Sequence, residues 1–196
     1  MSEVCTTMTM DEQKGFTLVE LLITMVVVSI LMATGIPSFM QFIKNNRITG
    51  QANSFIVSIQ MARNEAVKRG AGTTLCAANA DMDACSGSND WSTGWIIFLD
   101  LNRDGAINTN ATDGTATSVS GTTCLDTEDC LLGAVGGPEK STLTAGNSNI
   151  RFLPTGRTAN GPLTFTLKAD DCEHSQKRSI FMTLQGHTTV TEQACP

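Results

Sequence analysis

The chain has 196 residues, of which 41% are hydrophobic and 16% charged, with a formal net charge of −6. That length accommodates one compact domain plus a long extra element, and the composition is ordinary for a folded protein, so disorder is not the default reading. The acidic balance also excludes a general attraction to nucleic acid, so any phosphate binding needs a local basic patch.

The first apolar run follows a stretch in which Glu3, Asp11 and Glu12 stand against Lys14. A cleaved secretory signal begins with a positive region, and this one is negative. An ordinary membrane anchor wants about 20 uninterrupted apolar residues. Here Leu21 to Ile36 supplies sixteen uncharged ones, bounded by Glu20 and Pro37. A carboxylate inside hydrocarbon costs about 2.5–3.5 kcal/mol on insertion scales, so Glu20 needs a compensating partner or a place at the interface.

The run K-G-F-T-L-V-E-L-L, Lys14 to Leu22, resembles the recognition site of type IV prepilin-like proteins. The resemblance implies that residues 1–15 are a leader and that a prepilin peptidase and N-methyltransferase cuts between Gly15 and Phe16. Phe16 then becomes the N-methylated first residue, with Glu20 fifth and Pro37 twenty-second. It further implies that Glu20 pairs with the terminal amine of a neighbouring subunit as a fibre assembles. A glutamate that snorkels to the interface without a partner is the rival reading. Loss of the leader removes Cys5 and leaves six cysteines, a parity that fits three bridges.

Residues 16–37 form the hydrophobic transmembrane and assembly segment, and 38–70 continue as the amphipathic half of the same helix. In that half Phe39, Phe42, Ile43, Ala52, Phe55, Ile56, Ile59, Ala62, Ala66 and Val67 recur at helical spacing. Gly70, preceded by Lys68 and Arg69, is a C-terminal stop with cations suited to the helix dipole. A helix from Phe16 to Arg69 would be roughly 80 Å long at 1.5 Å per residue, more than a small domain buries. Its first half must therefore lie in a bilayer or against other helices, and Pro37 is expected to kink it.

From 71 to 196 the period changes to two. Thr73 to Ala77, Gly94 to Leu99, Ile150 to Leu153, Leu163 to Leu167 and Ser179 to Leu184 read as strands. Leu163, Phe165 and Leu167 alternate with polar residues, as in an antiparallel sheet with one face on the helix. The fold class is thus α+β, a long N-terminal helix packed on an antiparallel β-sheet head. Ala78 to Gly146, rich in Gly, Ser, Thr, Asn and Asp, is expected to hold long loops. Trp91 and Trp95 belong to the core or its edge.

The six later cysteines fall in sequential pairs, Cys76 with Cys85, Cys124 with Cys130, and Cys172 with Cys195. Such a set points to disulfides in an oxidising compartment. Neighbour pairing is preferred because each bridge closes a short loop, although six cysteines allow fifteen connectivities. Zinc is disfavoured, since no C-x-x-C occurs and the histidines lack ligand spacing apart from Cys172-Glu173-His174.

D-L-N-R-D-G-A-I-N, Asp100 to Asn108, copies the first half of a calcium loop, with oxygens at Asp100, Asn102 and Asp104 and a turn glycine at Gly105. Ala111 stands where the closing glutamate belongs, leaving Asn108, Thr109, Asp113 or water. A plain Asp/Asn-Gly turn is the competing explanation. Calcium is the one candidate cofactor.

For nucleic acid the candidates are Lys177 with Arg178 and Arg151 with Arg157, pairs that serve equally as solvated surface. No interleaved aromatics support strand stacking. Catalysis is not expected: there is no G-x-S-x-G, P-loop or H-E-x-x-H.

Four later segments, A-R-N-E-A-V-K-R-G-A-G-T-T-L-C from Ala62, W-S-T-G-W-I-I-F-L-D-L-N-R-D-G from Trp91, F-L-P-T-G-R-T-A-N-G-P-L-T-F-T-L from Phe152 and R-S-I-F-M-T-L-Q-G-H-T-T-V-T-E-Q-A-C from Arg178, are similar to the minor pilins and pseudopilins of the FimU, FimT and GspH group. This implies a type IV pilin fold, anchored by a single pass in the bacterial inner membrane with a periplasmic head, and partnered by other minor and major pilins. The implied role is a minor pilin that initiates a type IV pilus or sits at its tip. The alternatives are a minor pseudopilin of a type II secretion system and a DNA-binding tip subunit in natural transformation. FimT-type DNA-capturing proteins resemble one another in a G-R-x-R motif, where this chain has Gly186-His187-Thr188-Thr189.

Overall fold

A computed structural model describes residues 15–107 and 129–195, without the side chains of Thr34 and Pro37. The chain divides into one unit ending at Phe42 and another beginning at Ile43. Its elements in order are α1 (Leu18–Arg69), β1 (Thr73–Ala77), β2 (Gly94–Leu99), β3 (Cys130–Gly136), β4 (Ser141–Ala145), β5 (Asn149–Phe152), β6 (Leu163–Ala169), β7 (Lys177–Met182) and β8 (Thr188–Gln193).

In the first unit the helix is apolar all round, and every described side chain from Leu18 to Phe42 is exposed. Such a helix is stable only where something other than water surrounds it. It is also long and apolar enough to cross a membrane. The backbone stays helical through Pro37.

In the second unit α1 buries one stripe, Ile48, Ala52, Phe55, Ile59, Ala62 and Ala66, at spacings of three and four. Small alanines in the stripe let the helix approach the sheets closely. Phe55 anchors it, edge-on to Trp91, Trp95 and Phe165 with ring centroids 5.6, 4.9 and 4.8 Å away. Truncating a buried phenylalanine costs about 3–5 kcal/mol, so Phe55→Ala removes a large share of a small head's stability. The helix ends at Arg69, and Gly70 at φ +64° provides the left-handed turn that a side chain would oppose.

Among the described residues the head has two antiparallel four-stranded sheets, ordered β3-β2-β1-β5 and β4-β6-β7-β8, where the sequence suggested one. Leu163, Phe165, Leu167, Ile180 and Met182 of the second sheet share a core with the helix stripe and with Leu75, Ala77, Trp95 and Ile97 of the first. The first sheet is covered on its other face too: Cys76, Ala78, Ile96 and Phe98 pack under Met82, Cys85, Ile107 and Leu131. That explains why β1 and β2 are buried at every position.

Three strands escaped the sequence reading, two of them within Ala78 to Gly146 beside the loops expected there. β3 is an edge strand that fully buries only Leu132, and β4 alternates Ser, Leu and Ala with two threonines. Neither carries the apolar alternation that marks a half-buried strand. β8 is the opposite edge and is exposed at five of its six positions, so its strand character comes from hydrogen bonding to β7 rather than from burial.

Candidate functional site

Gly15 and Phe16, which flank the expected cut, stand before α1 and outside regular structure. Phe16 is 83% exposed. Thr17 and Glu20 then close the helix start reciprocally: the Glu20 N–H donates to Thr17 Oγ1 at 3.2 Å, and the Thr17 N–H to Glu20 Oε2 at 3.5 Å. T-x-x-E is the spacing of a capping box, a signal in the sequence that attention to Glu20 as a membrane charge passed over. The Thr17 N–H lies one residue from the amine that the expected cut before Phe16 would create, and the Glu20 carboxylate faces backbone donors at that end.

Cys76 is bonded to Cys85, and Cys172 to Cys195. The first bridge fixes the Ala78–Cys85 turn over the outer face of β1 and β2. The second ties the segment before β7 to the end of β8, where Cys195 N–H also donates to His174 O. Cys130 is disulfide-bonded as well; its expected partner, Cys124, lies outside the described residues.

The Asp100–Gly105 turn is built as the sequence suggests, with Gly105 at φ +79° and no room for a side chain beside Asn149 Nδ2. Asp100 is buried, and its Oδ2 accepts from Thr74 Oγ1 at 2.7 Å and from Gly105 N–H at 3.1 Å. Asn102 and Asp104 bond to each other, Asn102 Nδ2 donating to Asp104 Oδ2 and Asp104 N–H to Asn102 Oδ1. Asn108 lies outside the described residues. The residue that joins Asp100 and Asp104 is Asp129, which no local spacing announced.

Arg178 corrects the reading of Lys177 and Arg178 as a phosphate-binding pair. It is 5% exposed and its guanidinium is engaged, donating to Ser175 O, Lys177 O, Thr49 Oγ1 and Asn45 Oδ1. On β7 its side chain points inward with Ile180 and Met182. Inward residues of a strand cannot read phosphates, which leaves Lys177 alone on that strand. Arg151 donates to Arg103 O, and Arg157 is exposed. The Gly186-His187-Thr188-Thr189 position runs from the β7–β8 turn into the first two residues of β8, and the turn is held to α1 where Gln60 Nε2 donates to Gly186 O. Arg63 Nε likewise donates to Gly156 O, so one helix face fixes both glycine loops.

Near the second bridge Lys44 Nζ and Asp171 Oδ2 are 2.5 Å apart. The hydrogen bond from Lys44 holds the Asp171 carboxyl below the usual aspartate range. Arg69 does the same to Glu65 through its own hydrogen bond, against the opposing effect of burial.

Residues 51–186 match the family described as "Type II transport protein GspH", and residues 10–36 match the "Prokaryotic N-terminal methylation motif". Prepilin peptidase-dependent protein D of Escherichia coli (strain K12) is 36% identical over 47 residues, which is 24% of this chain and 32% of that protein. The chain therefore spans about a third of the length of the curated relative it matches. The crystal structure of the type IV minor pilin FimU from Pseudomonas aeruginosa (strain PAO1) superposes with a TM-score of 0.52 at 16% identity, covering 79% of this chain and 99% of that one. That likeness is one of fold. With the family match spanning more than half the chain behind an N-terminal methylation motif, the protein belongs to the GspH family of pilin-like minor pilins and pseudopilins.

Proposed function

We infer that the chain is a minor pilin that initiates assembly of a type IV pilus or occupies its tip, carried in the bacterial inner membrane with its head in the periplasm. The observation that carries this reading is the first unit, an apolar helix exposed on all sides with one carboxylate, Glu20, at its start. Such a helix needs a bilayer before assembly and neighbouring helices after it. Other minor and major pilins are the natural partners, and prepilin peptidase is the enzyme that would cut before Phe16 and methylate it. A head held by disulfides suits the oxidising periplasm.

A second reading, a minor pseudopilin of a type II secretion system, is favoured by the description of the matched family. The DNA-capture reading loses support because the donors of Arg178 are already engaged within the head. Deletion of the gene, with pilus number and secreted-enzyme titre measured side by side, separates the two assembly readings. Loss of surface pili with normal secretion is the expected result. Normal piliation with secretion abolished would replace it with the pseudopilin reading.

A further inference from the structure

β2 and β3 pair antiparallel with Leu99 opposite Cys130, so the residue after β2 and the residue before β3 are brought to the same end of the sheet. Those residues are Asp100 and Asp129, far apart in sequence and adjacent in the fold. The turn that follows β2 returns Asp104 to the same place. One carboxylate oxygen from each of Asp100, Asp104 and Asp129 lies within 4.8 Å of the others.

Three carboxylates at that separation repel one another, and a protein that folds them together needs a reason. An independent observation supplies it. Asp100 is only 2% exposed, and although its Oδ2 has two donors, its Oδ1 is buried with no hydrogen-bond partner among the described residues. A buried carboxylate oxygen left without a donor is costly, and no lysine or arginine forms an ion pair with Asp100 among the described residues. A bound cation would satisfy that oxygen and cancel the repulsion together.

We propose that Asp100, Asp104 and Asp129 form a calcium-binding site that clamps the end of β2 to the start of β3. The donor chemistry selects the ion: all three ligands are anionic oxygens, with no imidazole or thiolate, which suits a hard cation rather than zinc or copper. The spacing agrees, because oxygens bound at about 2.3–2.6 Å can sit up to roughly 5 Å apart across one ion. Calcium also tolerates an irregular ligand set completed by water, whereas magnesium demands near-octahedral geometry and keeps most of its hydration. Asp104 is exposed and Asp129 half-buried, so the ion has a path from solvent to the buried oxygen of Asp100. The site goes beyond the assembly role, and its failure would leave that role untouched.

The test uses the full chain purified in detergent, stripped with a chelator and titrated with calcium chloride by calorimetry, with thermal unfolding followed in parallel. The expected result is one site with a Kd on the order of 10⁻⁴ to 10⁻³ M, the range of extracellular calcium modules, and a calcium-dependent rise in Tm. Asp104→Asn and Asp129→Asn, which keep an Oδ1 acceptor for the Ala106 and Leu101 N–H groups that these carboxylates hold, should each weaken binding by at least tenfold. Asp171→Asn, far from the cluster in sequence and paired with Lys44, should bind as the parent does. Absence of heat and of any Tm rise at millimolar calcium would overturn the proposal. So would unchanged affinity in both Asn variants, or an equal response to magnesium.

Discussion

Arg178, on β7, reaches Asn45 on α1: its Nη2 donates to Asn45 Oδ1 and, at 3.3 Å, to Thr49 Oγ1. One buried guanidinium thereby joins the second sheet to the stretch of helix just inside the head. The remaining donors go to Ser175 O and Lys177 O, and Glu192 Oε2 lies 3.7 Å from Nη2. The charge is offset by acceptors on three separate segments, which is the condition under which a buried charge is tolerated.

Removing it should therefore be costly. Arg178→Ala leaves Asn45 and the Ser175 carbonyl without their donor, and hydrogen bonds to charged groups are worth about 1.5–3 kcal/mol. We expect a loss of at least about 2 kcal/mol in denaturant unfolding followed by the fluorescence of Trp91 and Trp95. Arg178→Lys should recover only part of it, because an ammonium cannot reproduce a planar fork. A stability change below half a kilocalorie in Arg178→Ala, within the usual range for surface substitutions, would show the network to be superficial. Lys177→Ala, by contrast, should be close to neutral.

Glu20 has two physical roles that can be pulled apart. Its carboxylate completes a capping box with Thr17, and its charge is the group proposed to meet a subunit's terminal amine. Glu20→Gln keeps an acceptor for the Thr17 N–H but abolishes the charge, whereas Glu20→Ala removes both. The charge-pairing role predicts that both variants are cut and inserted normally yet lower pilus number by about tenfold or more, since an ion pair in hydrocarbon offsets a cost of about 2.5–3.5 kcal/mol. Normal piliation in Glu20→Gln with a defect in Glu20→Ala would assign the residue to the cap instead.

The parts of this fold that were legible are those whose burial is periodic. The stripe through Ala52, Phe55, Ile59, Ala62 and Ala66 and the alternation of Leu163, Phe165 and Leu167 are imposed by one-sided packing, so they print directly into the sequence. β8 is exposed along nearly its whole length, and exposure leaves no pattern to read. The same distinction governs the sites. The turn at Asp100 to Gly105 is local and visible, but Asp129 joins it only because β3 pairs with β2 in one register. Arg178 looked like a surface cation beside Lys177, and only the direction of alternation on β7 shows that it faces inward.

The two described bridges should contribute unequally. Cys76–Cys85 closes a separation of 9 residues and Cys172–Cys195 one of 23. In the chain-entropy view these correspond to about 2.6 and about 3.4 kcal/mol. Cys76 is also fully buried under Cys85 and Met82, so replacing that pair adds a packing loss that Cys172 and Cys195 do not incur. The double serine variant of Cys172 and Cys195 should therefore unfold with a loss of about 3 kcal/mol, and that of Cys76 and Cys85 with at least as much. Alkylation of the oxidised chain should leave these four cysteines unmodified. Labelling of any of the four without prior reduction would contradict the bridging.

Acid should weaken the head through three carboxylates. Lys44 depresses Asp171 by a hydrogen bond, Arg69 depresses Glu65 in the same way, and the Ser92 side chain and backbone N–H depress Asp90. In each the folded value lies below the unfolded one, so folding favours the ionised form. Their contribution is fully present above the unfolded values, about 4, and is lost as pH falls through the folded ones. Stability due to these groups should accordingly be flat from about pH 5 to 8 and decline below about pH 4. Asp171 is 59% exposed, so added salt should blunt its share most, whereas Glu65, at 19%, should respond less. Thermal unfolding of a Lys44→Gln, Arg69→Gln double variant between pH 2.5 and 8 tests this: its acid limb should be shallower than that of the parent. Identical limbs would mean that other carboxylates govern the acid response.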